Sequence, residues 1–135
     1  MYEYKIESID KVVDGDTVDV TVDLGFKIHH KIRVRLYGIN APESRTRDLE
    51  EKERGLAAKK RLKELLGCGM FVGIPRDLGG THYVLKTEKK GKYGRYLGTL
   101  IKRQAIVEEN EEVETNINKK LVEEGHAVIY YGGTR

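Results

Sequence analysis

Two stretches with a period of two set the fold class of this chain. From Thr17 to Leu24, the apolar Val18, Val20, Val22 and Leu24 alternate with Asp19, Thr21 and Asp23. From Lys31 to Leu36, Ile32, Val34 and Leu36 alternate with Lys31, Arg33 and Arg35. Strand side chains point to opposite faces in turn, so each stretch predicts a strand with one face in the core. Gly25 turns the chain between them. Three cations on one strand face are costly unless that face meets water or anions.

The period then changes. Pro42 holds Ala41 extended and ends regular pairing. From about Glu51 to Leu66, Ala58, Leu62, Leu65 and Leu66 form a helical stripe, with Lys59, Lys60 and Lys63 outward. Gly67 is the expected stop. Gly55 weakens the first turn by roughly 1 kcal/mol, which leaves Gly55 as an alternative helix start. Tyr83–Thr87 and Tyr96–Ile101 read as hairpin arms with a tip at Lys89–Lys92, and Met70–Val72 as a short strand. A second helix is expected over Asn116–Glu124, capped by Thr115 or Asn116, then a short strand over Ala127–Tyr131. Glu108–Glu112 reads as a solvated loop, and Cys68 as a small buried apolar residue. The order predicts a mainly β chain with helices (α+β): an OB-fold five-stranded Greek-key barrel with two or three packed helices, in one domain over residues 1–135.

Charge is unevenly spread over the 135 residues, whose formal net charge is +3. Residues 27–35 carry Lys27, Lys31, Arg33 and Arg35 and no acid, and residues 86–103 carry seven basic residues against Glu88 alone. Residues 108–124 carry seven glutamates against two lysines. Basic segments beside an acidic one suit a polyanion site, and ordinary solvated surface fits them equally well. The single cysteine excludes an internal disulfide. No apolar run approaches ~18 residues, so no membrane span is expected. No signal peptide is visible behind Met1, so a cytoplasmic monomer is expected, with secretion left open.

Four groups carry chemistry. Asp14-Gly15-Asp16 offers carboxylates to a hard cation, or makes an ordinary surface turn. Arg35 has a donor fork that matches two phosphate oxygens, or pairs across the strands with Asp19 or Asp23. Glu43 can orient or deprotonate a water, or serve as an acid near a helix start. Tyr93-Gly94-Arg95 adds a ring and a second guanidinium, or is a hairpin turn. His29 and His30 are adjacent, so on a strand they face opposite ways and make a poor metal pair.

Jointly, and in this order, these segments resemble the staphylococcal nuclease (thermonuclease) family. The resemblance runs from about Lys11 to Tyr131. It is carried by Val13-Asp14-Gly15-Asp16-Thr17-Val18, Val34 to Glu43 with its Gly-Ile-Asn-Ala-Pro-Glu run, Gly91-Lys92-Tyr93-Gly94-Arg95, and Leu121 to Ala127. It implies an OB-fold barrel and Ca²⁺-dependent cleavage of DNA and RNA with little sequence selectivity, leaving 3′-phosphates. Another divalent cation is an alternative to Ca²⁺. On that pattern Asp16, the Asn40 side-chain oxygen and the Ala41 carbonyl hold the metal. Glu43 is the general base, and Arg35 and Arg95 bind the scissile phosphate. Lys92 and Tyr93 contact a neighbouring phosphate, Tyr131 lines the nucleotide pocket, and Asp14 and Thr17 support the metal ligands from behind.

The chain departs from the family pattern in four places. Asn40 stands where the prototype has an aspartate, which removes one negative charge from the cation site. Gly91 replaces an acid, Gly132 follows where a second pocket tyrosine is expected, and the stretch Gly69–Thr81 is long and has no assigned role. The rival reading is a non-catalytic OB-fold module binding single strands or RNA. A protein-docking domain would leave Arg35, Glu43 and Arg95 unexplained.

Overall fold

The computed structural model describes residues 2–67, 81–90, 96–106 and 111–130. In chain order the elements are β1 (Tyr2–Asp14), β2 (Thr17–Asp23), β3 (His29–Leu36), β4 (Ile39–Asn40), α1 (Leu49–Leu65), β5 (Thr81–Lys90), β6 (Tyr96–Ile106), β7 (Glu111–Asn116), α2 (Ile117–Glu123) and β8 (Val128–Ile129). The main sheet runs β3-β2-β1-β5-β6-β7, and β3 also pairs with β6. That last pairing is parallel, Val34 against Tyr96 and Leu36 against Gly98. It closes β1, β2, β3, β5 and β6 into a mixed five-stranded barrel, OB-like, with two helices among the described residues. No helix among them is long and apolar enough to cross a membrane.

Closure depends on β1. Its 13 residues are bulged between Ile6 and Ser8, Ile9 and Lys11, and Val12 and Asp14. Bulges bend a strand and raise its twist. Tyr2–Lys5 of β1 therefore pair with β5, and the strand from Lys5 to Asp14 pairs along β2. The alternation in β2 and β3 puts Val18, Val20, Val22, Val34 and Leu36 into the core. Leu85 and Leu100 meet them from β5 and β6, and Ala58, Leu62, Leu66, Ile117 and Leu121 from the helices. Each fully buried Leu, Val or Ile contributes roughly 1.5–3 kcal/mol of transfer free energy.

Helix α1 begins earlier than the sequence stripe predicts. Asp48 caps it, accepting from the Glu50 and Glu51 amides, and Gly55 lies buried inside it rather than at its start. Helix α2 is capped by Asn116, whose side chain accepts from Lys119 N. Within α2, buried Asn118 donates to the Tyr37 and Gly98 carbonyls and accepts from Leu100 N. Three sequence expectations are corrected. Leu24 lies past the end of β2 and is exposed. Glu111 and Glu112 are not loop: they open β7, which pairs antiparallel with β6 from Ala105–Glu112 to Ile101–Asn116. The tip expected at Lys89–Lys92 begins later, because Lys89 and Lys90 are still strand, paired with Leu97 and Tyr96. Met70–Val72, Cys68 and residues 91–95 lie outside the described residues.

The two helices are joined by Arg61, which donates from Nε and Nη2 to the two Glu124 carboxylate oxygens at 2.5 and 2.9 Å. That bond holds the Glu124 carboxyl below its usual range, against the opposing pull of desolvation. A lowered carboxyl pKa contributes stability above the unfolded value and loses it as pH falls through the folded value. Denaturant melts should therefore separate wild type from Glu124→Gln at pH 7. The gap should begin to shrink as the pH falls below the unfolded glutamate value of about 4.3 and close below the lowered folded value. A gap that persists unchanged in acid would remove the ion pair as its cause.

Candidate functional site

The site lies where the β1–β2 turn meets the chain leaving β3. Asp16 sits at the start of β2 and is only 6% exposed, so its carboxylate needs partners. It has three. Thr17 Oγ1 donates to Oδ1 at 2.9 Å, Ala41 N donates to Oδ2 at 2.8 Å, and Arg35 Nη1 lies 3.1 Å from Oδ2. The Asp16 carbonyl also accepts from Leu36 N at 2.8 Å. The β1–β2 turn is thus tied to the end of β3 through both backbone and side chain.

Arg35 is held at three acceptors. Besides Asp16, it donates from Nη1 to the Ile39 carbonyl and from Nη2 to Asn40 Oδ1, each at 3.0 Å. Its side chain is 13% exposed. Asp19 takes both the Nε and Nη2 donors of Arg33, at 2.7 and 3.0 Å. That bond lowers the Asp19 pKa and raises that of Arg33. The three cations of β3 therefore differ: Arg33 is paired on the surface, Arg35 is turned inward, and Lys31 is exposed.

Glu43 is exposed, on the loop three residues past Asn40. The sequence did not single out what positions it. Ser44 is buried and donates from its amide to Asp14 Oδ1 at 3.2 Å, and its hydroxyl bonds to the same oxygen. Asp14 therefore clamps the loop. On the other side, Gly55 of α1 sits against the Glu43–Ser44 peptide. A Cβ at Gly55 would lie 2.2 Å from Glu43 O and 2.7 Å from Ser44 N. A Cβ at Gly15 would lie 2.6 Å from Ala58 Cβ and 3.1 Å from Ala41 Cβ. The helix, the turn and the Glu43 loop meet through missing side chains. A glycine inside a helical stripe was the available signal.

The structure thus gathers Asp14, Asp16, Thr17, Arg35, Asn40 and Ala41 at one rim of the barrel, with the Glu43 loop fastened to it. Lys92, Tyr93, Arg95 and Tyr131 lie outside the described residues. Among the described residues no three His, Cys, Asp or Glu side chains converge as a metal cage. The oxygens that do converge, the Asp16 carboxylate, the Asn40 amide and the Ile39 carbonyl, meet at the Arg35 guanidinium. Such a set fits a hard divalent cation that keeps several waters and takes further ligands from substrate phosphate.

Comparison with known proteins places this geometry in context. The family model "Staphylococcal nuclease homologue" matches residues 33–134. The match takes in Arg35, Asn40, Ala41 and Glu43 and begins after the Asp14–Thr17 turn. Protein ParB of Escherichia coli is 29% identical over 120 residues, which is 89% of this chain and 54% of ParB. The chain therefore spans about half the length of this relative.

Proposed function

The chain belongs to the staphylococcal nuclease homologue family, and from that premise we propose that it is a divalent-cation-dependent endonuclease of DNA and RNA, leaving 3′-phosphates. The observation that supports this reading is the inward-turned Arg35, fixed at Asp16, Asn40 and the Ile39 carbonyl beside the clamped Glu43 loop. A guanidinium oriented before substrate arrives needs little reorganisation to meet charge that develops on phosphorus. Asp16 keeps that guanidinium in place, and Thr17 and Ala41 keep Asp16 in place. Glu43 takes the proton of the attacking water as its oxygen bonds to phosphorus. The P–O5′ bond breaks, the 5′-oxygen leaves with a proton from solvent, and Glu43 then returns its own proton to solvent. Arg95 joins Arg35 at the scissile phosphate, Lys92 and Tyr93 contact a neighbouring phosphate, and Tyr131 adds a ring for the nucleotide pocket.

Asp16, the Asn40 amide oxygen and the Ala41 carbonyl would hold the cation, Ca²⁺ by family likeness, which supplies charge neutralisation and acidifies water. One carboxylate already shared with Arg35 makes for weak binding, so half-maximal activity is expected at a high metal concentration. The deciding assay incubates the chain with single-stranded and duplex DNA and RNA, with Ca²⁺, Mg²⁺, Mn²⁺ or chelator. Scission that needs metal, stops with chelator and leaves 3′-phosphates is expected. Salt-dependent binding to single strands with no scission under any metal would replace the enzyme with the binding module.

A further inference from the structure

A second basic feature lies away from Arg35 and Glu43. Between β1 and α1 runs a cleft of about 330 Å³, lined by Ile9, Asp10, Lys11, Val12, Lys59 and Lys63. Sequence reading set Lys59 and Lys63 outward, into solvent. Both line this cleft together with Lys11: Lys63 and Lys11 are exposed, as an outward face requires, and Lys59 is half-buried. None of the three has an ion-pair partner among the described residues, whereas Arg33, Arg61, Lys86, Arg103 and Lys120 do. Lys11 stands across the strand from Asp19, which Arg33 already clamps. Asp10, on the cleft itself, is held by the Ser8 and Thr21 hydroxyls at 2.8 and 2.7 Å. Asp19 also attracts Lys11, so the three ammoniums stand beside two carboxylates, Asp10 and Asp19, both already engaged by other donors.

The cleft also continues from the site. β1 carries Lys11 and then, three residues on, Asp14, which clamps the Glu43 loop. α1 carries Gly55 against the Glu43 peptide. Lys59 and Lys63 follow at about 6 and 12 Å along the helix axis, one and two turns further. Both walls therefore lead from the reacting edge into the lysines. Ile9 and the buried Val12 add an apolar lining suited to sugar and base faces.

We propose that this cleft is an exosite for the phosphodiester backbone of a single strand, taking up phosphates beyond those at Arg35. The proposal rests on the nucleic-acid reading above for its ligand class, and it does not need cleavage. The test compares the wild type with the triple variant Lys11→Gln, Lys59→Gln, Lys63→Gln. A control triple, Lys52→Gln, Lys102→Gln, Lys119→Gln, removes equal charge elsewhere. Anisotropy of a labelled single-stranded DNA and of a labelled dinucleotide is followed over a salt series with chelator present. Circular dichroism verifies that each variant is folded.

Each backbone contact on a single strand contributes about 0.7 to the slope of log K against log salt. The cleft triple should lower that slope by about 2 and weaken long-strand binding on the order of 100-fold at 0.1 M salt. Dinucleotide binding should not change, and the control should keep the wild-type slope. Equal loss in both triples, equal loss on the dinucleotide, or an unchanged slope would overturn the exosite. Because binding is read with chelator, a chain that binds but never cuts fails the endonuclease reading and leaves this one standing. A chain that cuts with an unaltered slope does the reverse.

Discussion

Arg35→Ala should lose both turnover and stability, while Glu43→Gln should lose turnover alone. The structure separates them. Removing the guanidinium leaves Asp16 buried without the Arg35 charge, beside an Asn40 oxygen that has lost its Arg35 donor. Breaking a buried pair from one side costs about 3–5 kcal/mol, a large part of the stability of a domain this size. Glu43 lies exposed on its loop, so its replacement should leave the melting curve within about 0.5 kcal/mol of wild type. Under the endonuclease reading, general-base loss lowers turnover by about 10²–10⁴. Urea melts beside single-turnover cleavage check both. Arg35→Ala with Asp16→Asn should recover part of the stability and none of the activity. A stable Arg35→Ala chain would mean that Asp16 does not depend on this partner.

The second large effect should come from a single added methyl group. Gly55→Ala would ordinarily strengthen a helix by about 1 kcal/mol. Here the new Cβ meets Glu43 O and C and Ser44 N, all backbone atoms that cannot swing aside. Overpacking of this kind costs about 1–3 kcal/mol, so the net change should be destabilising despite the better helix former. The displaced peptide carries Glu43, and turnover should fall at least tenfold, since misplacing a reacting group by about 1 Å can cost 10²-fold. Ala57→Gly is the control, on the same helix and exposed. It should cost about 1 kcal/mol and leave turnover unchanged. If Gly55→Ala is as active as wild type, the helix does not position the Glu43 loop.

Local pattern made much of this legible. Alternation in β2 and β3 needed only neighbours in sequence, and so did the Ala58–Leu62–Leu66 stripe and the cap at Asn116. The family resemblance pointed to Asp16, Arg35, Asn40, Ala41 and Glu43 as one constellation. It was silent on how they contact one another, because Arg35 had nearer acids to pair with in Asp19 and Asp23. Only closure of the barrel shows that Arg33 takes Asp19 and that Arg35 turns inward to Asp16. Ser44 and Gly55 were not legible as positioning residues. Their roles arise from approach between segments that no local period describes. The β7 strand was missed for a related reason. Glutamate is a poor strand former, and pairing along β6 overrode that preference.

That acidic strand also governs how copies of the barrel meet. β7 ends the main sheet, and such a border offers bare amides and carbonyls to any passing chain. Glu111, Glu112 and Glu114 stand exposed along it. Although Arg103 and Lys86 partly offset Glu112 and Glu114, a second such border brings acid against acid and is disfavoured. Neutralising these glutamates, by mutation or in acid, would open the barrel to edge-on polymerisation while its interior stayed folded.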